Sequence, residues 1–186
     1  MSSHRVSQIA NMIGLNIGTI PFTYLGVPIF KGKPKYAYFQ PIADKVKVKL
    51  SAWKASLLSI AGRVQLIKSV IQSMLLHCLT IYSWPVNLLK DLEKWMRNFI
   101  WSGDINQRKL VIVAWHRVCK PYKEGGLGIR NLSDINEASN LKLCWEILQS
   151  NMQWAQLVRS RVLRVNKPIN YHVSSSVWCS AKRKFN

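Results

Sequence analysis

The sequence predicts a mainly α protein: a helical bundle with a short β element near its N-terminus and a second short β or loop element around residues 108–130. Three observations predict it. Apolar residues recur three and four apart through residues 39–101, the spacing that gathers them on one face of successive helices. Strand-like runs are few and short. At 186 residues and 48% hydrophobic, the chain can bury one core, or a little more than one.

The elements follow in order. A helix is expected over about 3–13, then a glycine-rich turn at 14–18 and a β stretch over 22–29, held at a sheet edge by Pro21 and Pro28. Past a lysine-rich loop, Phe39, Ile42, Val46, Leu50, Trp53 and Leu57 mark an amphipathic helix or two, with Lys45, Lys47, Lys49 and Lys54 on the other face. Ile60, Val64, Ile67, Ile71, Met74, Cys78 and Ile81 then alternate four and three apart, a long helix whose later turns should be buried and which Pro85 ends. Its first turns expose Arg63 and Lys68, which the spacing places on one side. A third helix runs from about 88 to 101, with Glu93 and Arg97 set for an i,i+4 pair and Gly103 as its stop. A basic loop and a short strand, Leu110-Val-Ile-Val113, lead to the glycine loop CKPYKEGGLGIRNL. Ser133 and Asp134 are placed to cap the next helix, with Glu137 for a capping box and Leu132 for a staple. That helix runs to about 150, a weaker one covers 154–163, and a basic, serine-rich tail begins at 166.

Charge is the strongest compositional signal. Lys and Arg number 27 against 8 Asp and Glu, a net charge of +19, which points to a polyanion such as nucleic acid, to an anionic membrane face, or to a fragment stripped of acidic neighbours. The excess lies in three patches. Residues 31–70 hold nine basic and one acidic side chain, 105–132 six and one, and 151–186 seven and none. A solvated helix face normally mixes signs, and 31–70 does not. Four widely spaced cysteines without a Cys-x-x-Cys pair favour a reduced, intracellular protein, nuclear or cytoplasmic. The N-terminus has no signal-peptide pattern, and the most apolar stretch, 74–84, is too short to span a membrane.

Catalytic constellations are missing. Two-metal phosphoryl transfer needs converging carboxylates, yet the closest pairs are Asp91 with Glu93, on different sides of a helix, and Asp134 with Glu137, which capping explains. The stretch GVPIFKGK at 26–33 imitates a P-loop, but it carries one residue too many before Gly-Lys, and Pro34 stands where a hydroxyl should hold magnesium. His116 and Cys119, with the distant His172 and Cys179, lack the paired spacings of zinc modules. No Gly-x-Ser-x-Gly elbow occurs. The eight tryptophans fall mostly at core spacing rather than forming base-stacking platforms. The glycine loop either turns the chain or meets a phosphate through the side chains of Lys120, Lys123 or Arg130.

The ordered set Tyr24-Leu-Gly-Val-Pro-Ile29, Leu50-Ser-Ala-Trp-Lys54, Leu58-Ser-Ile-Ala-Gly-Arg-Val-Gln-Leu-Ile-Lys-Ser-Val70, Phe99-Ile-Trp-Ser-Gly103 and Cys119-Lys-Pro through Gly125-Gly-Leu-Gly-Ile-Arg-Asn-Leu132 resembles plant LINE-type, non-long-terminal-repeat retrotransposon polyproteins. The likeness covers about residues 3–165, in the part that follows the reverse transcriptase palm, and Ser174-Ser-Ser-Val-Trp178 resembles the start of a zinc-binding region. In that family the catalytic aspartates and their magnesium lie upstream of the matched part, so no cofactor and no catalytic residue are expected in this chain. The resemblance implies a fragment truncated at both ends. Residues 1–34 would be a palm edge with Tyr24, Leu25 and Gly26 on the primer-grip side, and 35–103 the helical thumb. Residues 104–165 would be a linker toward further domains, and 166–186 a basic tail.

A thumb tracks a duplex of any sequence, so it should hold phosphates rather than read base edges. Lys45, Lys47, Lys49, Lys54, Arg63, Lys68, Lys120 and Arg130 are the candidate contacts to an RNA/DNA template–primer duplex. The palm and the C-terminal domains are the other expected partners, with no membrane and no small-molecule substrate. Arg63, beside Gly62 at a helix start, either meets phosphate or pairs inside the bundle. The competing reading is a remnant whose basic and apolar surface is an orphaned interface, with Ile81, Trp84 and Trp101 once facing the palm.

Overall fold

In the computed structural model the described residues are 3–14, 16, 18–53, 55–164 and 167–168. Lys54 and nearly all of the tail from 166 lie outside them. The chain is mainly helical, as its apolar periodicity predicts. After α1 (Ser3–Ile13) comes a two-stranded antiparallel sheet, then a bundle of α2 (Tyr36–Ala52), α3 (Ile60–Leu66), α4 (Gln72–Leu79) and α5 (Val86–Ser102). A short α6 (Trp115–Val118) and the glycine loop lead to α7 (Leu132–Gln149) and α8 (Gln153–Val162). A two-residue ladder, β3 (Leu163–Arg164) with β4 (Lys167–Pro168), follows.

The 22–29 stretch is a hairpin rather than one strand: β1 (Phe22–Tyr24) pairs with β2 (Val27–Ile29) around Leu25 and Gly26. Both turn residues have positive φ, 49° and 81°, the backbone that a twisted two-residue turn requires. Tyr24 and Val27 close the turn as the hydrogen-bonded pair, which leaves Thr23 opposite Pro28 in the next, non-bonded pair. Pro28 therefore sits where a strand does not need its N–H.

The long helix over 60–79 is interrupted by one π turn, Ile67–Ile71. Serine hydroxyls bond back to backbone carbonyls along it, Ser69 to Gln65 at 2.8 Å and Ser73 to Ser69 at 2.7 Å. The extra residue moves the buried face from the expected Met74 and Ile81 to Leu75, Leu79 and Tyr82, with Cys78 kept. Leu76 and His77 are consequently exposed, contrary to the all-round burial expected there. The helix also ends at Leu79, before Pro85.

One core joins these elements. Phe39, Leu50, Ile67, Ile71, Leu75, Leu88, Leu92, Met96, Phe99 and Ile100 are fully buried, each contributing about 1.5–3 kcal/mol by leaving water. Phe30, from the end of the hairpin, stacks on Tyr38 at 4.5 Å and meets Tyr82 at 4.8 Å, while Phe39 meets Trp84 at 4.7 Å. Trp84 is buried and Ile81 and Trp101 are half-buried in this core, so they are not the exposed faces of a lost interface. A smaller cluster, Cys144, Ile147 and Val162, packs α7 on α8.

Leu110-Val-Ile-Val113 forms no strand. Strand propensity is realised only against a pairing partner, and both sheets among the described residues are two-stranded ladders elsewhere in the chain. Leu110 and Ile112 stand fully exposed in a loop. At the start of α7 the cap is Asn131, two or three residues earlier than the expected Ser133 or Asp134. Its side chain accepts the Asp134 N–H at 3.1 Å, and its carbonyl accepts the Ile135 N–H at 3.1 Å.

Candidate nucleic-acid interface

The lysine face of α2 is real, and it divides. Lys45 and Lys49, four apart, project from one exposed side of the helix. Lys47 turns to the seam with α5, its Nζ 5.6 Å from the centre of the Trp95 ring. Asp44, the acidic residue of this segment, accepts a hydrogen bond from Gln40 at 2.9 Å and makes no ion pair with a lysine among the described residues. Lys54 lies outside the described residues.

Arg63 is anchored inside the bundle. Its Nε donates to the Ala55 carbonyl at 3.0 Å and its Nη1 to the Ile100 carbonyl at 3.1 Å. The acceptor on Ile100 is one of the last carbonyls of α5, which no intrahelical N–H reaches. Of the two readings open to Arg63, the structural one therefore has contacts to show. Arg63 and Lys68 also part company: Lys68 reaches the glycine loop, with its Nζ 3.3 Å from the Tyr122 hydroxyl and 4.6 Å from the centre of that ring.

The glycine loop turns the chain. Gly125 and Gly128 have φ of 79° and 63°, and a side chain on Gly126 would overlap the Lys120 carbonyl. Its amides are engaged within the loop: Gly125 donates to Tyr122, Gly126 to Pro121 and Gly128 to Lys120. No nest of free N–H groups remains for a phosphate. The α7 start is equally full. Glu93 accepts the Leu132 N–H at 2.9 Å and also the Ser133 N–H, while Asn131 takes the next two amides. Glu93 thus serves the α7 terminus rather than the expected pair with Arg97, and burial holds its carboxyl above the usual range against those two hydrogen bonds.

Side chains, not backbone, make the groove beside this loop. Lys68, Gln72, Ser73, Gly128 and Arg130 line a hollow of about 420 Å³ whose far wall is fixed by Gln72 donating to the Arg130 carbonyl at 2.6 Å. Lys68 and Arg130, distant in sequence, are brought together there. Lys120 is not: it pairs with Glu124 at 3.1 Å.

The hairpin tip carries Tyr24, Leu25 and Gly26, all exposed. The Cys78 thiol donates to the Gly26 carbonyl at 3.6 Å, and the Lys45 charge is felt at that thiol, so Lys45 stands on the hairpin side of the bundle.

Spacing gave no sign of two further basic residues. Ser102 and Asn98 pin the loop after α5: Asn98 donates to the Ile105 carbonyl at 2.8 Å, and the Ser102 hydroxyl lies 2.7 Å from the Asp104 and 2.8 Å from the Gln107 carbonyl. Arg108 and Lys109 follow directly, exposed and in neither of the ion pairs found among the described residues. The signal available beforehand was the turn sequence Ser-Gly-Asp preceding two basic residues.

The carboxylates go to separate tasks. Asp91 accepts from Tyr36 at 3.5 Å while Glu93 faces α7. Among the described residues no three His, Cys, Asp or Glu side chains converge on a point a metal could occupy. Burial, helped by the Glu93 and Asp134 charges, pushes the Cys119 thiol up to about 12, far from thiolate chemistry. No described helix is long and apolar enough to cross a membrane.

No family model matches the chain. It is 32% identical over 136 residues, 73% of its length, to the Arabidopsis thaliana protein named "Putative ribonuclease H protein At1g65750". It is 40% identical over 76 residues, 40% of its length, to the Arabidopsis thaliana "Uncharacterized mitochondrial protein AtMg00310". The chain spans 22% of the first relative and 49% of the second.

Proposed function

We propose that this chain is the thumb and downstream segment of a plant LINE-type retrotransposon reverse transcriptase, holding the template–primer duplex by its phosphates and lacking catalysis of its own. One observation carries the reading: the chain has a net charge of +19, and on α2 Lys45 and Lys49 are exposed and take part in neither of the described ion pairs, Lys120–Glu124 and Lys142–Glu146. Unneutralised, exposed cations on rigid helices suit a polyanion of any sequence. Lys45 and Lys49 on α2 are the main phosphate contacts in this reading, with Lys68 and Arg130 as a second pair and Lys47 as a minor one. Arg63 sets the bundle and stands apart from the α2 face that holds the duplex.

Similarity to a protein named for ribonuclease H supports the polyprotein part of the reading. RNA–DNA hybrid is the substrate of that chemistry and the product of reverse transcription. The exposed hairpin tip, Tyr24 to Gly26, supports a primer-grip-like contact at the side where Lys45 stands. Catalysis and its magnesium are assigned to the palm, because Asp91 and Glu93 here serve Tyr36 and α7. A second reading, an orphaned remnant, draws on the fully exposed Leu110 and Ile112.

Fluorescence anisotropy with a labelled RNA–DNA duplex across a salt series tests the proposal. Binding that weakens steeply with salt supports it. Absent or salt-insensitive binding favours the remnant.

A further inference from the structure

We propose that the end of α5 and the loop after it form a second nucleic-acid site, one that takes an unpaired nucleotide of a single strand rather than duplex. It rests on the reading of the chain as a nucleic-acid binder, and it adds a strand type and residues that the thumb face does not supply.

The site is a groove of about 460 Å³ at the C-terminal end of α5, the size of one nucleotide rather than a helix. Its cations are Arg63, Arg108 and Lys109, and no Asp or Glu lines it. Trp101 forms one wall. The same tryptophan also borders a neighbouring hollow, where Arg117 and His116 stand with the paired Lys120 and Glu124, so a strand leaving the groove past Trp101 meets a further cation in Arg117. Duplex offers phosphates on a stiff rod with its bases turned inward. Only an unpaired strand can lay a base against an indole while its phosphates reach cations on either side.

The groove is built in advance. Arg63 is held by the Ala55 and Ile100 carbonyls, which leaves Nη2 without a described hydrogen bond and the guanidinium fixed in place. Gly103 closes against it: a Cβ there would stand 3.3 Å from the Arg63 Cζ. Asn98 donates to the Ile105 carbonyl, and the Ser102 hydroxyl accepts the Asp104 N–H at 3.1 Å and has one proton to give among the Asn98, Asp104 and Gln107 carbonyls. Together they set residues 104–107, so Arg108 and Lys109 are delivered by an ordered turn rather than a free tether. The Asn98 bond also seats Ile105 in the main core, and the turn anchored there presents a fixed pair of exposed cations beside an aromatic wall. Less ordering is then left for the moment of binding.

The test uses the 186-residue chain with three fluorescent probes of equal length: a single-stranded oligonucleotide, the same backbone with abasic sites, and an RNA–DNA duplex. For R108Q/K109Q we expect single-strand affinity to fall about tenfold and its salt slope to drop by about 1.4, two phosphate contacts' worth, with duplex affinity unchanged. The wild type should bind the abasic strand about tenfold more weakly than the intact one, and W101L should abolish that preference. A chain that binds duplex but not single strand overturns the site and leaves the thumb reading standing, as does an equal loss on both probes. A chain that binds neither overturns both. If W101L does not fold, as near- and far-ultraviolet circular dichroism would show, the abasic comparison on wild type and the R108Q/K109Q pair still decide.

Discussion

Arg63 on α3 donates from Nη1 to the Ile100 carbonyl on α5 at 3.1 Å, tying the start of one helix to the end of another. With the second bond to Ala55, that places a cation between three segments of the bundle. Replacing it by alanine leaves the Ile100 carbonyl without a described donor and the Ala55 carbonyl with the Leu58 N–H alone, so we expect R63A to lose about 2 kcal/mol of stability in urea unfolding. R63K, a point charge without the fork, recovers less than half. A stable R63A with weakened duplex binding would instead return Arg63 to the phosphate surface.

Asn136 holds the 79–84 turn from α7. Its Oδ1 accepts the Trp84 N–H at 3.0 Å and its Nδ2 donates to the Leu79 carbonyl at 2.8 Å and the Tyr82 carbonyl at 2.6 Å. The residue is buried, so truncation strands three backbone groups away from water. N136A should lower stability by about 3 kcal/mol, and N136L, which fills the space without the bonds, should not restore it. Thermal unfolding checks both.

Gly126 and Gly18 make a matched pair for the glycine loop. A Cβ on Gly126 would overlap the Lys120 carbonyl, whereas one on Gly18 meets nothing within 4 Å. G126A should open the loop, seen as faster amide exchange over 119–130 and a lower Tm. G18A should change neither.

The helices are legible in the sequence because each depends on local signals. Apolar spacing marks their faces, and Gly103, with φ 80° and its N–H on the Phe99 carbonyl, stops α5 where it should. What is not legible depends on partners far along the chain. Leu25 is an unusual residue for positive φ, so the hairpin turn leaves no trace in composition. Asn131 outcompetes Ser133 as a cap because Glu93, 39 residues away, already serves Leu132 and Ser133. The π turn shifts the buried face by one position, which no heptad count reveals. For the site, the α2 lysines were identifiable from their spacing alone. Lys47 differs from its neighbours only because Trp95 lies beneath it, and Lys68 meets Arg130 only through the glycine loop.

Glu93 gives the protein a pH signature. Burial raises its pKa above the free value of 4.5, so the folded chain holds that proton more tightly than the unfolded chain. The stability it contributes is present below the carboxylate range and is lost as pH rises through the raised value. Relative to E93Q, the wild type should therefore lose stability as pH rises above the free carboxylate value of 4.5. Parallel pH profiles for the two proteins would remove Glu93 as the source.

On the proposed function α2 holds a duplex by its phosphates, and the salt dependence of K45Q/K49Q binding against wild type measures that contact. On an RNA–DNA duplex we expect the slope of log K against log salt to fall by about 1.8, two contacts at about 0.9 each. K47Q should change it little, since that lysine lies over Trp95. An unchanged slope in K45Q/K49Q, or wild-type binding that ignores salt, would contradict the claim.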